Sequence, residues 1–212
     1  MSRSKYNFPK FEPLELNTEV EYNYQSYQKL SPAKVGDTLI ELANRFNSQQ
    51  TNIGNSVVSQ NGFHTAHASK IKVIYFYSSQ WGEASLLHLE QLHAIRNEVK
   101  YHDGNLLIID ADGDNSTLQQ TLWLNNLQLP VYSDTDHQLA KLFNIYADNS
   151  PAWSRYSGLD KNVPLPSVFV LNHNLKIIYV LSNEDIVTNI KVDEVTNAVY
   201  LANNYLAGRK TA

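Results

Sequence analysis

The chain has 212 residues, enough for one large domain or one domain with an extension, and with 42% hydrophobic and 11% aromatic residues it can build a sizeable core. Its net charge is −4 with lysines and arginines scattered, which argues against a nucleic-acid surface and leaves no like-charge tail. It holds no cysteine, so this chain has no disulfide, no thiolate metal site and no thiol chemistry.

Residues 1–33 read as an N-terminal extension. Pro9, Pro13 and Pro32 break it, and Tyr6, Phe8, Phe11, Tyr22, Tyr24 and Tyr27 make it too aromatic for an ordinary disordered tail. Phe8, Phe11, Leu14 and Leu16 are separated by polar residues or proline, so no signal peptide is expected. No apolar run reaches the roughly 18 residues of a membrane span. The expected location is therefore cytoplasmic.

A domain is expected over 34–206, with a tail at 207–212. Val35-Gly36-Asp37 is a turn signal before a short helix or irregular segment at 38–46, and 47–70 is polar with one short strand or hairpin near 56–59. Ile71 to Tyr77 is β-branched and aromatic without alternation, as in a strand buried on both faces. A short polar turn follows. Leu86, Leu89, Leu92, Ile95 and Val99 then recur at helical spacing, which predicts a helix over 83–99. Asn105 to Asp110 predicts a second buried strand, and a helix is expected over 116–126. An extended piece at 129–132, a helix at 136–143 and a loop at 147–162 come next. Strands at 167–171 and 176–181 flank Asn172-His173-Asn174, a hairpin turn. A helix over 192–205 closes the chain. This order predicts an α/β fold with a central mixed β-sheet flanked by helices.

Four stretches in order resemble one family: Lys34-Val35-Gly36-Asp37, VIYFYSSQW, LPVYSDTDHQLAKLFNIY and VPLPSVFVLNHNLKIIYV. From about Val35 to Tyr205 the chain is similar to the peroxiredoxin-like branch (alkyl hydroperoxide reductase/thiol-specific antioxidant, AhpC/TSA) of the thioredoxin-like fold. The resemblance implies that the strand-to-helix junction at 78–85 is the former redox centre. Members of this branch place Cys at the positions of Gly82 and Ser85, in a Trp-Cys-x-x-Cys turn. More typical peroxiredoxins have Pro at Ser78, Thr at Gly82 and the peroxidatic Cys at Ser85. The resemblance also implies a cis Leu165–Pro166 bond beside that centre, and a homodimer.

The departures point away from thiol peroxidase chemistry. A serine hydroxyl ionises far less readily than a thiol, and its oxygen cannot pass through sulfenic acid and disulfide. The degenerate positions are Ser78, Trp81, Gly82, Ser85 and Pro166. Three functions stay open. The first is a non-catalytic binding or scaffold module for an unidentified protein or small molecule, with Trp81, Ser85, Trp153, Arg155 and Tyr156 as binding candidates. The second is an enzyme with non-thiol chemistry built on Ser85, His88 or Arg155. His88 follows Ser85 by three residues, but no G-x-S-x-G is present. The bland reading of Ser85 is a helix-start residue accepting backbone N–H groups.

The third is a cation-binding module at Asp110, Asp112 and Asp114, carboxylates at alternate positions. An EF-hand would need Gly at Asn115 and Glu at Thr121, so a solvated turn and helix cap is the simpler account. The histidines lack a third partner for a metal set and are expected on the surface. No cofactor is expected, nor any nucleic-acid or membrane partner.

Overall fold

The structure is a computed structural model, and it describes residues 29–39, 71–113, 115–182 and 189–204. The elements expected at 40–46 and 56–59, the arm up to residue 28 and the tail at 207–212 lie outside the described residues.

Five strands form one mixed sheet in the order β3-β2-β1-β4-β5. β1 (Ile71–Tyr77) is central and buried along its whole length. It pairs in parallel with β2 (Gly104–Asp110), which pairs in parallel with β3 (Val131–Ser133). On its other side β1 pairs antiparallel with β4 (Ser167–Leu171), followed by β5 (Ile177–Ser182). The β4–β5 turn is held by Asn172, whose Oδ1 accepts the N–H groups of Asn174 and Lys176, both at 3.0 Å.

The period of two in β1 sorts its side chains between two cores. Val73, Tyr75 and Tyr77 face one side, where α1 (Glu83–Tyr101) and α4 (Val192–Asn204) pack with α2 (Asn115–Leu124). α1 turns Ser85, His88, Leu89, Leu92, Ile95 and Val99 inward, and α4 turns Val195, Ala198, Val199 and Ala202 inward. Ile74 and Phe76 face the other core, with α3 (Gln138–Leu142), Phe143 and Phe169. Here Phe76 meets Phe143 and Phe169 edge-on, at centroid distances of 5.2 and 6.1 Å. Asp134 starts α3: its carboxylate accepts the N–H groups of Leu139 at 3.0 Å and Ala140 at 2.9 Å. Ala33 is buried and donates its N–H to the Phe143 carbonyl at 3.0 Å, so the segment before residue 34 already packs on the sheet.

Only a glycine fits where β2 begins. A Cβ on Gly104 would lie 2.8 Å from the Val99 carbonyl oxygen, so α1 and β2 meet there backbone to backbone. Among the described residues no helix is long and apolar enough to cross a membrane.

Candidate functional site

The turn between β1 and α1 lies beyond the carboxyl end of the parallel strands. One residue of the neighbouring loop builds it. Asp112 accepts the Ser78 hydroxyl at 2.6 Å and the Ser79 N–H at 2.6 Å, while Ser78 Oγ accepts the Gln80 N–H at 3.2 Å. These bonds wind residues 79–81 into a single 3₁₀ turn. Gly82 then breaks the turn and caps α1, at φ 57° and ψ −132°, a conformation that side-chain-bearing residues rarely adopt. A Cβ there would meet nothing within 4 Å, so backbone conformation and not space selects glycine.

Ser85 is the third residue of α1 and is 1% exposed. Its hydroxyl donates to the Ser78 carbonyl at 2.6 Å. It does not cap backbone N–H groups, as the sequence suggested; α1 begins two residues earlier, which leaves Ser85 facing the end of β1. Next to it the Tyr75 hydroxyl and His88 Nδ1 share a hydrogen bond of 3.0 Å, with the rings edge-on at 5.7 Å. Burial pushes the Tyr75 phenol far above its usual range, and a hydrogen bond with Ser85 pulls the other way. His88 is 5% exposed, so the expectation of surface histidines fails here: the heptad-like spacing of α1 turns position 88 inward with 85, 89 and 92. The Ser85 proton is directed to a backbone carbonyl and His88 Nδ1 is engaged by Tyr75, so the two do not form a nucleophile–base pair.

Trp81 anchors the turn to the neighbouring loop. Its indole N–H donates to the Pro164 carbonyl at 3.1 Å, and its ring packs with Ala152, Val163 and Leu159 and edge-on against Tyr156 at 5.4 Å. The loop over 147–162 is stapled in place. Asn162 donates to the Ala147 carbonyl at 3.1 Å and accepts the Ala152 N–H at 2.9 Å, and Gln80 accepts the Asp160 N–H at 3.0 Å. Arg155 lies over the Tyr156 ring at 5.6 Å and donates to the Ser150 carbonyl at 3.4 Å. The structure thus brings Trp81, Arg155 and Tyr156 together, while Ser85 is buried with its hydroxyl on the Ser78 carbonyl. Trp153 is apart, 55% exposed on the outer side of the loop.

Pro166 is buried directly before β4, as expected, but its peptide bond is not: no described bond is cis, so Leu165–Pro166 is trans. Trans is the lower-energy form by roughly 0.5–1 kcal/mol. It keeps this stretch extended, with the Leu165 N–H donating to the Ile145 carbonyl at 3.0 Å and the Pro164 carbonyl left to Trp81.

The carboxylates after β2 serve the turn. Asp110 is fully buried, not solvated, and its Oδ1 accepts the Asp112 N–H at 3.1 Å. Asp114 lies outside the described residues. Among the described residues no three His, Asp or Glu side chains gather as a metal set. Burial and the Asp112 charge push the Tyr77 phenol up to about 12.

A three-layer α/β domain with a mixed sheet, whose first buried strand runs through a capped turn into a long helix, is the thioredoxin-like architecture. The AhpC/TSA family profile matches residues 41–180, well over half the chain, and the chain belongs to that family. No curated protein matches it in sequence. Among solved structures it is similar to the mitochondrial 2-Cys peroxiredoxin of Plasmodium falciparum, at 17% identity and TM-score 0.52 over 70% of this chain and 84% of that one. It is also similar to the bacterioferritin comigratory protein of Xanthomonas campestris, at 19% identity and TM-score 0.51 over 65% and 83%. The reduced 2-Cys peroxiredoxin of Plasmodium vivax follows at 17% and 0.51, over 66% and 68%. These likenesses carry the fold alone.

The sequence did not disclose Tyr75 or Asp112 as partners of the site. The available signal for Tyr75 was a phenol in a fully buried strand, whose hydroxyl must find a partner.

Proposed function

We propose that this member of the AhpC/TSA family works as a binding module without thiol peroxidase or disulfide reductase activity. The observation that carries the reading is the state of position 85. A serine stands there, 1% exposed, its hydroxyl committed to the Ser78 carbonyl. A peroxide needs a thiolate to attack it and a path to reach it, and this site offers neither. What the former redox face presents instead is the stapled loop, with Trp153 exposed and Arg155 stacked beside Tyr156. Tryptophan, tyrosine and arginine are the side chains that most often anchor protein interfaces. A loop held by Asn162 and Gln80 presents them at little ordering cost. The partner is a protein surface, a second copy of the chain included.

The test couples hydroperoxide consumption to a thioredoxin or glutathione donor. The purified chain is expected to give no turnover above buffer, and robust turnover overturns the reading. The loop is tested with W153A, which is expected to weaken partner capture or self-association by about tenfold or more, as for an interface anchor. An association unchanged by W153A removes the loop from the proposal.

A further inference from the structure

At the opposite end of the sheet lies a second concavity, of about 640 Å³, between the last turns of α1 and the segment joining α2 to β3. Its size falls within the range of small-molecule sites, roughly 300–1,000 Å³. Leu127, half-buried, contributes apolar wall, and Leu106 and Leu129 lie behind it in the core. Arg96 and Lys100 line it from α1. They are four residues apart and so share one helix face, a like-charge spacing that destabilises a helix unless an anion sits between the charges. Among the described residues no acidic side chain lines the cavity, although the chain as a whole carries net charge −4. Lys141 pairs with Asp148 and Lys191 with Glu194, whereas neither cation of the groove forms an ion pair with a described residue. Arg96 donates to the Gln128 side-chain oxygen at 3.3 Å, which orients one edge of the guanidinium and leaves further donors on the same group.

We infer that this groove is a binding site for a small organic carboxylate with a short apolar body. The carboxylate sits between the Arg96 guanidinium and the Lys100 ammonium, and the apolar body lies against Leu127. The head carries a single charge for a physical reason. Both cations stand on the last turns of α1, where the helix dipole places partial negative charge that offsets part of the positive field. No backbone N–H cradle of the kind that holds phosphate is needed for a carboxylate, whose two oxygens match the guanidinium fork. The site is separate from the turn at 78–85, which follows the carboxyl end of β1, whereas Gly104 and Leu106 belong to the amino-terminal half of β2. It stands whether or not the peroxide test above succeeds.

The test is calorimetric titration of the full chain with hexanoate as probe, beside 1-hexanol and inorganic phosphate. Hexanoate is expected to bind saturably, with 1-hexanol and phosphate each at least about tenfold weaker, and added salt weakening hexanoate binding. R96Q and K100Q are each expected to lower hexanoate affinity about tenfold, while circular dichroism shows the fold retained. Hexanoate binding that is absent, or unchanged in both variants, overturns the proposal. So does phosphate binding as tightly as hexanoate, because the Leu127 wall would then contribute nothing.

Discussion

Ser85 Oγ lies 2.6 Å from the carbonyl oxygen of Ser78 and donates its proton to it, across the junction where β1 becomes α1. The bond ties the first turn of the helix to the end of the strand. It also spends the only proton of the hydroxyl on the backbone, so the side chain at position 85 is a structural tie.

The first prediction concerns restoring sulfur. S85C places a thiol at a position 1% exposed. A buried thiol in neutral surroundings is a poor nucleophile, because the thiolate must be desolvated. The S85C thiol is expected to react with a disulfide reagent at least about a hundredfold more slowly in the native protein than in urea, reflecting the population of open states. It is also expected to leave the chain inactive toward hydroperoxide. Rapid native labelling, read as absorbance of the released thiolate, would show that the site opens freely.

The second concerns Asp112. Its two oxygens hold the Ser78 hydroxyl and the Ser79 N–H, both at 2.6 Å. Hydrogen bonds to a charged group contribute about 1.5–3 kcal/mol each when well formed, and less when water reaches them. D112A is expected to lower unfolding stability by about 2–3 kcal/mol. D112N keeps one acceptor oxygen and should lose less. Urea unfolding of the three proteins checks the order, and equal midpoints would show that the turn is held by something other than this carboxylate.

Much of this architecture can be read in the residues, and the parts that cannot share a cause. β1 and β4 are bounded as expected because their β-branched and aromatic runs end at a serine and an asparagine. α1 starts at Glu83 as expected because the polar turn before it contains the one glycine that can cap it. The Tyr75–His88 bond, the Trp81–Pro164 bond and the Asp112 bonds join residues 13, 83 and 33–34 positions apart. Periodicity carries no information about which side chain meets which across elements. The Leu165–Pro166 geometry failed for another reason: it was carried over with the family's active site, and the local hydrogen bonds of this chain are satisfied by the trans form.

The third prediction separates packing from hydrogen bonding at Trp81. W81A removes the centre of the small cluster formed with Ala152, Val163 and Tyr156, and should cost about 3–5 kcal/mol, as for other buried aromatics. W81F keeps most of the ring contact but leaves the Pro164 carbonyl without the indole donor, and should cost about 1–3 kcal/mol. In the S85C background, W81A should speed thiol labelling far more than W81F. Equal acceleration by both would mean that the indole N–H, not the ring, keeps the site shut.

The last prediction uses His137, which adopts a left-handed conformation at φ 52° and stacks on Tyr146 at 4.2 Å. Burial lowers its pKa from the ordinary 6.5; Asp134, Asp148 and Asp112 pull upward, and Lys141 pushes down with the burial. The unfolded chain therefore takes up a proton before the folded one as pH falls below 6.5. In that window the unfolded state binds more protons, so stability rises with pH and is lost on acidification. The ring is partly exposed, and solvent screening keeps the effect small. Asparagine tolerates the left-handed conformation and does not titrate, so H137N should fold normally and lose less stability between pH 7.5 and 5.5 than the parent chain. Urea midpoints at the two pH values measure the difference. A loss as large in H137N as in the parent would show that the acid sensitivity does not arise at His137.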